Sequence, residues 1–309
     1  MAVASGQNVV IGMKQESTYG TIESGSDYVV IPFNSVSLSL AKTNHESAVI
    51  TGDRNLQDVI MGAHSVSGDI TFHLAHQPAY IDMFEGLLGD SSDSSGAYDV
   101  GSERLSYTIQ QAFDTDLAGG NDNHQYTGCE FNSFSMTIPA DGLIECSFSI
   151  IGATMATATA STDTDPDNTG GNYVEANNPF HSSDVTITEG AANSITTDLS
   201  LTIENGISTT NRVGSNIPLK GGIGKCRVSG SMTCHFTSDA LLAKFIANTS
   251  SSLTISMGSG ATGLSFTMAK IIYTTGAVEV TEGLLSVSCD FVAVSNDGAS
   301  TIVIDTALS

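Results

Sequence analysis

The sequence predicts an all-β protein of two tandem domains, built from one duplicated unit that carries a single α-helix. Three observations support this. Ser, Thr, Gly and Val are plentiful while Lys, Arg and Gln are scarce, a balance that favours strands and turns over helices. A chain of 309 residues is too long for one ordinary core and suits two domains of roughly 150 residues each. The third observation is an internal repeat. Val66-Ser67-Gly68-Asp69-Ile70-Thr71-Phe72-His73 is matched without gaps by Val228-Ser229-Gly230-Ser231-Met232-Thr233-Cys234-His235, with five of eight positions identical at an offset of 162. At almost the same offset, Val36-Ser37-Leu38-Ser39-Leu40 pairs with Leu199-Ser200-Leu201-Thr202-Ile203, so a second strand repeats in the same order. The expected boundaries are 1–157 for the first domain, 158–178 for a linker or exposed loop, and 179–309 for the second domain.

Each matched strand is followed at equal distance by a helical pattern. In the first, Pro78 stands where a helix tolerates a missing N–H, Tyr80, Met83, Phe84, Leu87 and Leu88 keep helical spacing, and Gly89 stops the run. In the second, Asp239 can cap, Leu241, Leu242, Phe245 and Ile246 form the stripe, and Asn248 ends it. Both stripes are expected to face a core. Each half then closes with a hairpin. Phe134, Met136 and Ile138 alternate into Pro139-Ala140-Asp141-Gly142, and Ile144, Cys146, Phe148 and Ile150 alternate out of it. The counterpart runs through Val278 and Val280, turns at Glu282-Gly283 and leaves along Leu285, Val287, Cys289 and Phe291. Between the halves, Ala158 to Gly171 is small and acidic and cannot bury anything. Long polar connections, Lys42 to Ser65 and Glu204 to Arg227, separate the two repeated strands of each half, where a hairpin needs only a few residues.

An apolar fraction of 40% with 14% charged residues fits a folded chain. Ten basic against 33 acidic residues give a net charge of −23, the wrong sign for gripping phosphates, so nucleic-acid binding is disfavoured. Residues 1–160 hold 4 basic and 19 acidic groups, and 179–309 hold 6 and 10. The first residues, MAVASGQNVVIGMKQE, have no basic region and no apolar run, so no secretory signal is expected. No window approaches a membrane span. The five cysteines, Cys129, Cys146, Cys226, Cys234 and Cys289, are odd in number, and three of them alternate with polar neighbours as core positions would. They read as reduced thiols of a cytoplasmic product.

Motifs for chemistry are weak. Asp163-x-Asp165-x-Asp167 opens like a calcium loop, but its sixth position is Asn168 and its twelfth is Val174. Gly221-Gly222-Ile223-Gly224-Lys225 lacks the leading glycine and the hydroxyl of a phosphate loop, having Leu219 and Cys226 there. His64, His73 and His76 are close in sequence, yet His73 alternates within a strand and repeats as His235, which points to an architectural position. No nucleophile elbow, Cys-x-x-Cys pair or His-Glu-x-x-His helix is present. No catalytic residue, metal or cofactor is expected.

With these residues laid out, the chain resembles the major tail tube protein of long-tailed, non-contractile bacteriophages. The resemblance rests on Lys14-Gln15-Glu16-Ser17-Thr18-Tyr19-Gly20-Thr21, the loop around Gly52-Asp53-Arg54-Asn55, the Val-Ser-Gly strand before a single helix, and the closing hairpin. It implies that each unit is a β-sandwich-like barrel with one flanking helix, and that units form six-membered rings stacked into a hollow tube for DNA. Two units per chain would make each ring a homotrimer of pseudo-hexameric appearance. The implied setting is the virion tail, assembled in the host cytoplasm, with the tape measure, tail terminator and baseplate proteins as partners and no membrane. An acidic, lysine-poor wall would let DNA pass without adhering, although an acidic excess also serves plain solubility.

The two long connections are the expected contacts between subunits and rings. Val49, Ile50, Val59, Ile60 and Met61 in one, and Ile207, Val213, Ile217, Leu219 and Ile223 in the other, are apolar residues that a lone subunit would leave wet. Each connection also carries an arginine, Arg54 beside Asp53 and Asn55 or Arg212, suited to fixing register against an acidic neighbour. Both are expected to be mobile when free and ordered on stacking. Other phage structural roles, decoration or baseplate, are the nearest rivals. A secreted β-sandwich adhesin should have a signal, and a carbohydrate-binding sandwich should offer aromatic platforms, whereas this chain has no Trp.

Overall fold

Where the sequence alternates apolar and polar side chains, the chain is extended. The computed structural model describes residues 6, 9–25, 28–50, 52, 55–56, 58–90, 96–113, 123–158, 178–190, 192–193, 195–280 and 283–306. The first half contains β1 (Val10–Gln15), β2 (Val29–Val30), β3 (Ser35–Val36), β4 (Ser39–Glu46), β5 (Val59–His73), α1 (Pro78–Leu88), β6 (Ala97–Tyr98), β7 (Tyr107–Ala112), β8 (Asn123–Ile138), β9 (Glu145–Gly152) and β10 (Thr154–Ala158). The second contains β11 (Val185–Glu189), β12 (Ala192–Asn193), β13 (Thr196–Glu204), β14 (Thr209–Arg212), β15 (Ser215–Lys220), β16 (Arg227–His235), α2 (Ala240–Ala247), β17 (Ser251–Met257), β18 (Leu264–Tyr273), β19 (Ala277–Glu279), β20 (Ser286–Ala293) and β21 (Val303–Asp305). All pairings among the described residues are antiparallel, so the fold is all-β with few helices.

Two ladder systems make up the molecule. One runs β4–β5–β9–β8–β13–β16–β20–β19, with β3 continuing the edge of β4. The other runs β1–β7–β8–β10 in the first half and β11–β17–β18–β21 in the second. Strand β8 serves both. Its first part pairs with β7 and β10, and its last six residues, Ser133–Ile138, lie between β9 and β13. The β8–β13 ladder therefore joins the two halves. Phe134, Met136 and Ile138 face the core beside Ile203, Leu201 and Leu199, all of them buried. Buried side chains of both halves form one contiguous cluster rather than two separate cores.

The Val-Ser-Gly repeat has a steric reason. A Cβ on Gly230 would lie 2.2 Å from the Ser200 carbonyl oxygen, and one on Gly68 would lie 2.6 Å from that of Ser37. The repeated strand at each site runs too close to its neighbour for a side chain. Pro78 does open α1, and Gly89 closes it in the left-handed region at φ 67°. Tyr80, Met83, Phe84, Leu87 and Leu88 are buried, with Phe84 edge-on to Phe134 at 5.0 Å and to Phe266 at 5.6 Å.

Helix α2 differs from its expectation. Asp239 makes no capping side-chain bond, and no residue of α2 is buried. Leu241, Leu242 and Phe245 are half-buried, and Ile246 is 75% exposed. Within one chain this helix touches only part of its apolar stripe to β18 and β20, because among the described residues none covers the side where α1 meets the other half.

The long connections also differ. Half of Lys42 to Ser65 is strand. β4 and β5 pair from Ser39↔Ser67 out to Glu46↔Val59, past Val66, where the β9 partner ends. Glu204 to Arg227 contains the β14–β15 hairpin. The described parts of both include paired strands.

Candidate functional site

Most of the contact positions expected from the sequence lie on two projecting surfaces. The tip of the β4–β5 ribbon exposes Val49 and Ile50, the latter 94% exposed, and Asn55 is exposed nearby. Val59, Ile60 and Met61 open β5 opposite Glu46, His45 and Asn44 and stay exposed. Asp53 and Arg54 lie outside the described residues. In the second projection Arg212, Val213, Ile217 and Leu219 are exposed. Ile207 is a correction to the expected contact set: it is buried in its own chain, and its N–H donates to Asn132 Oδ1 at 2.7 Å.

The base of the second projection is clamped onto the first half. The Arg104 guanidinium donates to the Gly221 carbonyl and to Glu130 Oε2, and Lys220 Nζ donates to the Arg104 carbonyl. Lys220 also lies 3.6 Å from Glu130 Oε1 and 5.7 Å from the centre of the Tyr19 ring. Burial pushes the Glu130 carboxyl up, opposed by Arg104 and Lys220. Asn205 Nδ2 donates to the Leu87 carbonyl at 2.5 Å, tying the same loop to α1. Gly221 of the glycine-rich run is a packing residue, since a Cβ there would meet the Ser208 carbonyl oxygen at 2.1 Å. Sequence reasoning missed this cluster. Its members are remote in the chain, and no spacing advertises them.

Glu16, at the centre of Lys14–Thr21, is buried and works as a local brace. It accepts from the Gly20 and Gly128 N–H groups at 2.8 Å each and from Thr108 Oγ1 at 3.2 Å. It shares a cleft with Lys14, Glu23, Asp82 and Glu85. Burial, reinforced by Glu85, pushes Asp82 up to about 6. His64 Nδ1 pairs with Thr154 Oγ1 at 3.0 Å and His76 Nε2 with the Thr306 carbonyl at 2.9 Å, while His73 lies opposite Glu145 in the β5–β9 ladder. Among the described residues no three His, Cys, Asp or Glu side chains are placed to hold a metal. The run Asp163–Asp167 lies outside the described residues. Burial pushes every thiol up, Cys226 to about 11, so none is an activated nucleophile.

Opposite the core, the joined sheet presents a hydroxyl-rich face. One row across five strands reads Thr71, Ser147, Ser135, Thr202, Ser229, and the next reads His73, Glu145, Thr137, Ser200, Ser231, Asp290. Arg227, opposite Glu204, is a basic group at its margin. The sheet ends in two edges, the outer sides of β3/β4 and of β19, neither of which has a ladder partner among the described residues. No described helix is long and apolar enough to cross a membrane.

A family model described as phage tail tube protein matches residues 6–297. No curated protein matches the chain.

Proposed function

The chain belongs to the phage tail tube protein family, which makes it a structural protein of the virion tail, and on that premise we propose that three copies close into a ring and that rings stack into the conduit for DNA. Each chain supplies two units, so the ring has threefold symmetry and a pseudo-sixfold outline. Support for two units comes from the 162-residue offset together with the matching ladders of the halves.

The observation that carries the conduit reading is the hydroxyl-rich face. Serine and threonine offer DNA no charge to grip, and interspersed carboxylates repel phosphate. Lined with that face, a channel passes a duplex without releasing its counterions and so without holding it. The exposed apolar residues Val49, Ile50, Ile60, Met61, Ile217 and Leu219, with Arg54 and Arg212, then serve contact between rings. The tape measure, terminator and baseplate proteins are the partners at the ends of such a tube, and assembly takes place in the host cytoplasm.

Negative-stain microscopy of concentrated purified protein tests this. The expected result is tubes or stacked rings whose averages hold three chains. True sixfold rings of six chains would refute the two-unit reading, and particles that never form rings would refute the tube.

A further inference from the structure

The β8–β13 seam inside the chain is a template for contact between chains. Ile70 and Met232 are related by the 162 offset, and their ladder partners are Val36 and Leu199, so Val36 holds the place of Leu199. Likewise Leu40, opposite Val66, holds the place of Ile203, opposite Val228. On the other side, Cys146 lies opposite Phe72 and Val287 opposite Cys234, which the same offset relates. Their outer partners, Met136 and Val278, therefore correspond. The seam pairs Leu201 with Met136 and Leu199 with Ile138. Carried over, it pairs Leu38 with Val278 and Val36 with Val280.

The helices follow the same relation. Phe84 is 1% exposed because Phe134 of its own half and Phe266 from the other half enclose it. Its counterpart Ile246 is exposed. Beside the free β3/β4 edge lies a groove of about 660 Å³ lined by Phe33, Val36, Leu38, Leu40, Tyr126 and Met155. Tyr126, opposite Met155, stands in β8 as Phe266, opposite Ile304, stands in β18. Among the described residues, the first half thus has an open groove, and the second half has an uncovered helix and an 81% exposed Val280 next to a strand without an outer partner.

We propose that these two surfaces join neighbouring copies: β19 adds antiparallel to β3/β4 of the next chain, Val278 opposite Leu38 and Val280 opposite Val36, and Ile246 of α2 enters the groove. This rests on the ring reading, and names which surface closes the ring. Strand addition supplies main-chain bonds, and the groove fixes register.

The test is a paired cysteine experiment on assembled particles. Val36→Cys with Val280→Cys, oxidised after assembly and run without reductant, should give an intermolecular ladder ending at three chains. Val36→Cys with Glu279→Cys, whose side chains point to opposite faces, should crosslink at least tenfold less. Ile246→Asp should keep the circular dichroism of the folded chain and lose rings. Rings without the ladder, or a ladder equal in the control, would overturn this interface while leaving the ring intact. Unchanged rings from Ile246→Asp would overturn the helix contact even if the cysteine variants failed to fold. A wild-type chain that makes no rings would sink the ring reading itself.

Discussion

The same helical turn carries Asp82 in the first half and Lys244 in the second, 162 residues apart. Lys244 reaches a buried carboxylate, Glu189, with 2.7 Å to each oxygen, and Tyr273 donates to it at 2.9 Å. Asp82 instead faces a cleft that already holds Glu16, Glu23 and Glu85, and Glu16 is satisfied by backbone N–H groups. Beside its helix the second half neutralises a buried acid with an ion pair, as Arg104 does for Glu130 elsewhere in the first. The first half braces Glu16 with the main chain and tolerates a repelled aspartate beside it. The surplus that allows this is apolar: α1 buries six side chains and α2 buries none. Around the two helices, then, the first half rests more on packing and the second more on charge.

The sharpest way to break this contrast is at the helices. Phe84→Ala should cost about 3–5 kcal/mol in urea unfolding of the free chain, whereas Ile246→Ala should stay within about 0.5 kcal/mol. Equal losses would mean that the helices are equivalent before assembly. Next, Lys244→Met leaves the buried Glu189 with Tyr273 alone, and since Lys244 itself is partly exposed a loss of about 1–3 kcal/mol is expected. Thermal melts of that variant against wild type at neutral pH measure it. The smallest effect belongs to Asp82. Its folded carboxyl holds the proton more tightly than the unfolded one, so stability is full below the unfolded value of 3.8, falls as pH rises to about 6, and stays lowered above. Asp82→Asn should therefore gain about 1 kcal/mol at pH 8 and close to nothing at about pH 3. A gain at both values would point to a cause other than titration.

Strands and the first helix were legible because the residues that carry them obey local rules. Gly68 and Gly230 are fixed by a neighbouring carbonyl, and Pro78 and Gly89 by the ends of a helix. Phe134 to Phe148 alternate because one face is core. The ribbon was not legible, since Thr43-Asn44-His45-Glu46 has no buried face and its polar pattern reads as loop. Nor was the exposure of α2. Leu241, Leu242, Phe245 and Ile246 have the spacing of a core helix, and spacing does not say whether the cover comes from the same chain. Arg104, Glu130 and Lys220 meet only through tertiary packing, so no window of sequence holds all three.

Strand β8 also sets an order of events in time. Ser133–Ile138 must wait for Leu199–Glu204, and 61 positions separate Ile138 from Leu199 (199 − 138). At roughly 5–20 residues per second the growing chain shows that bare edge for about 3–12 s. During those seconds it offers the same kind of surface that β19 offers for good. The tethered β13 arrives at an effective concentration of millimolar order, far above that of another nascent chain. The covalent link thus decides the contest: the seam closes within the molecule, and the edge that β19 makes last stays open. Two surfaces of similar chemistry are sorted by the direction of translation.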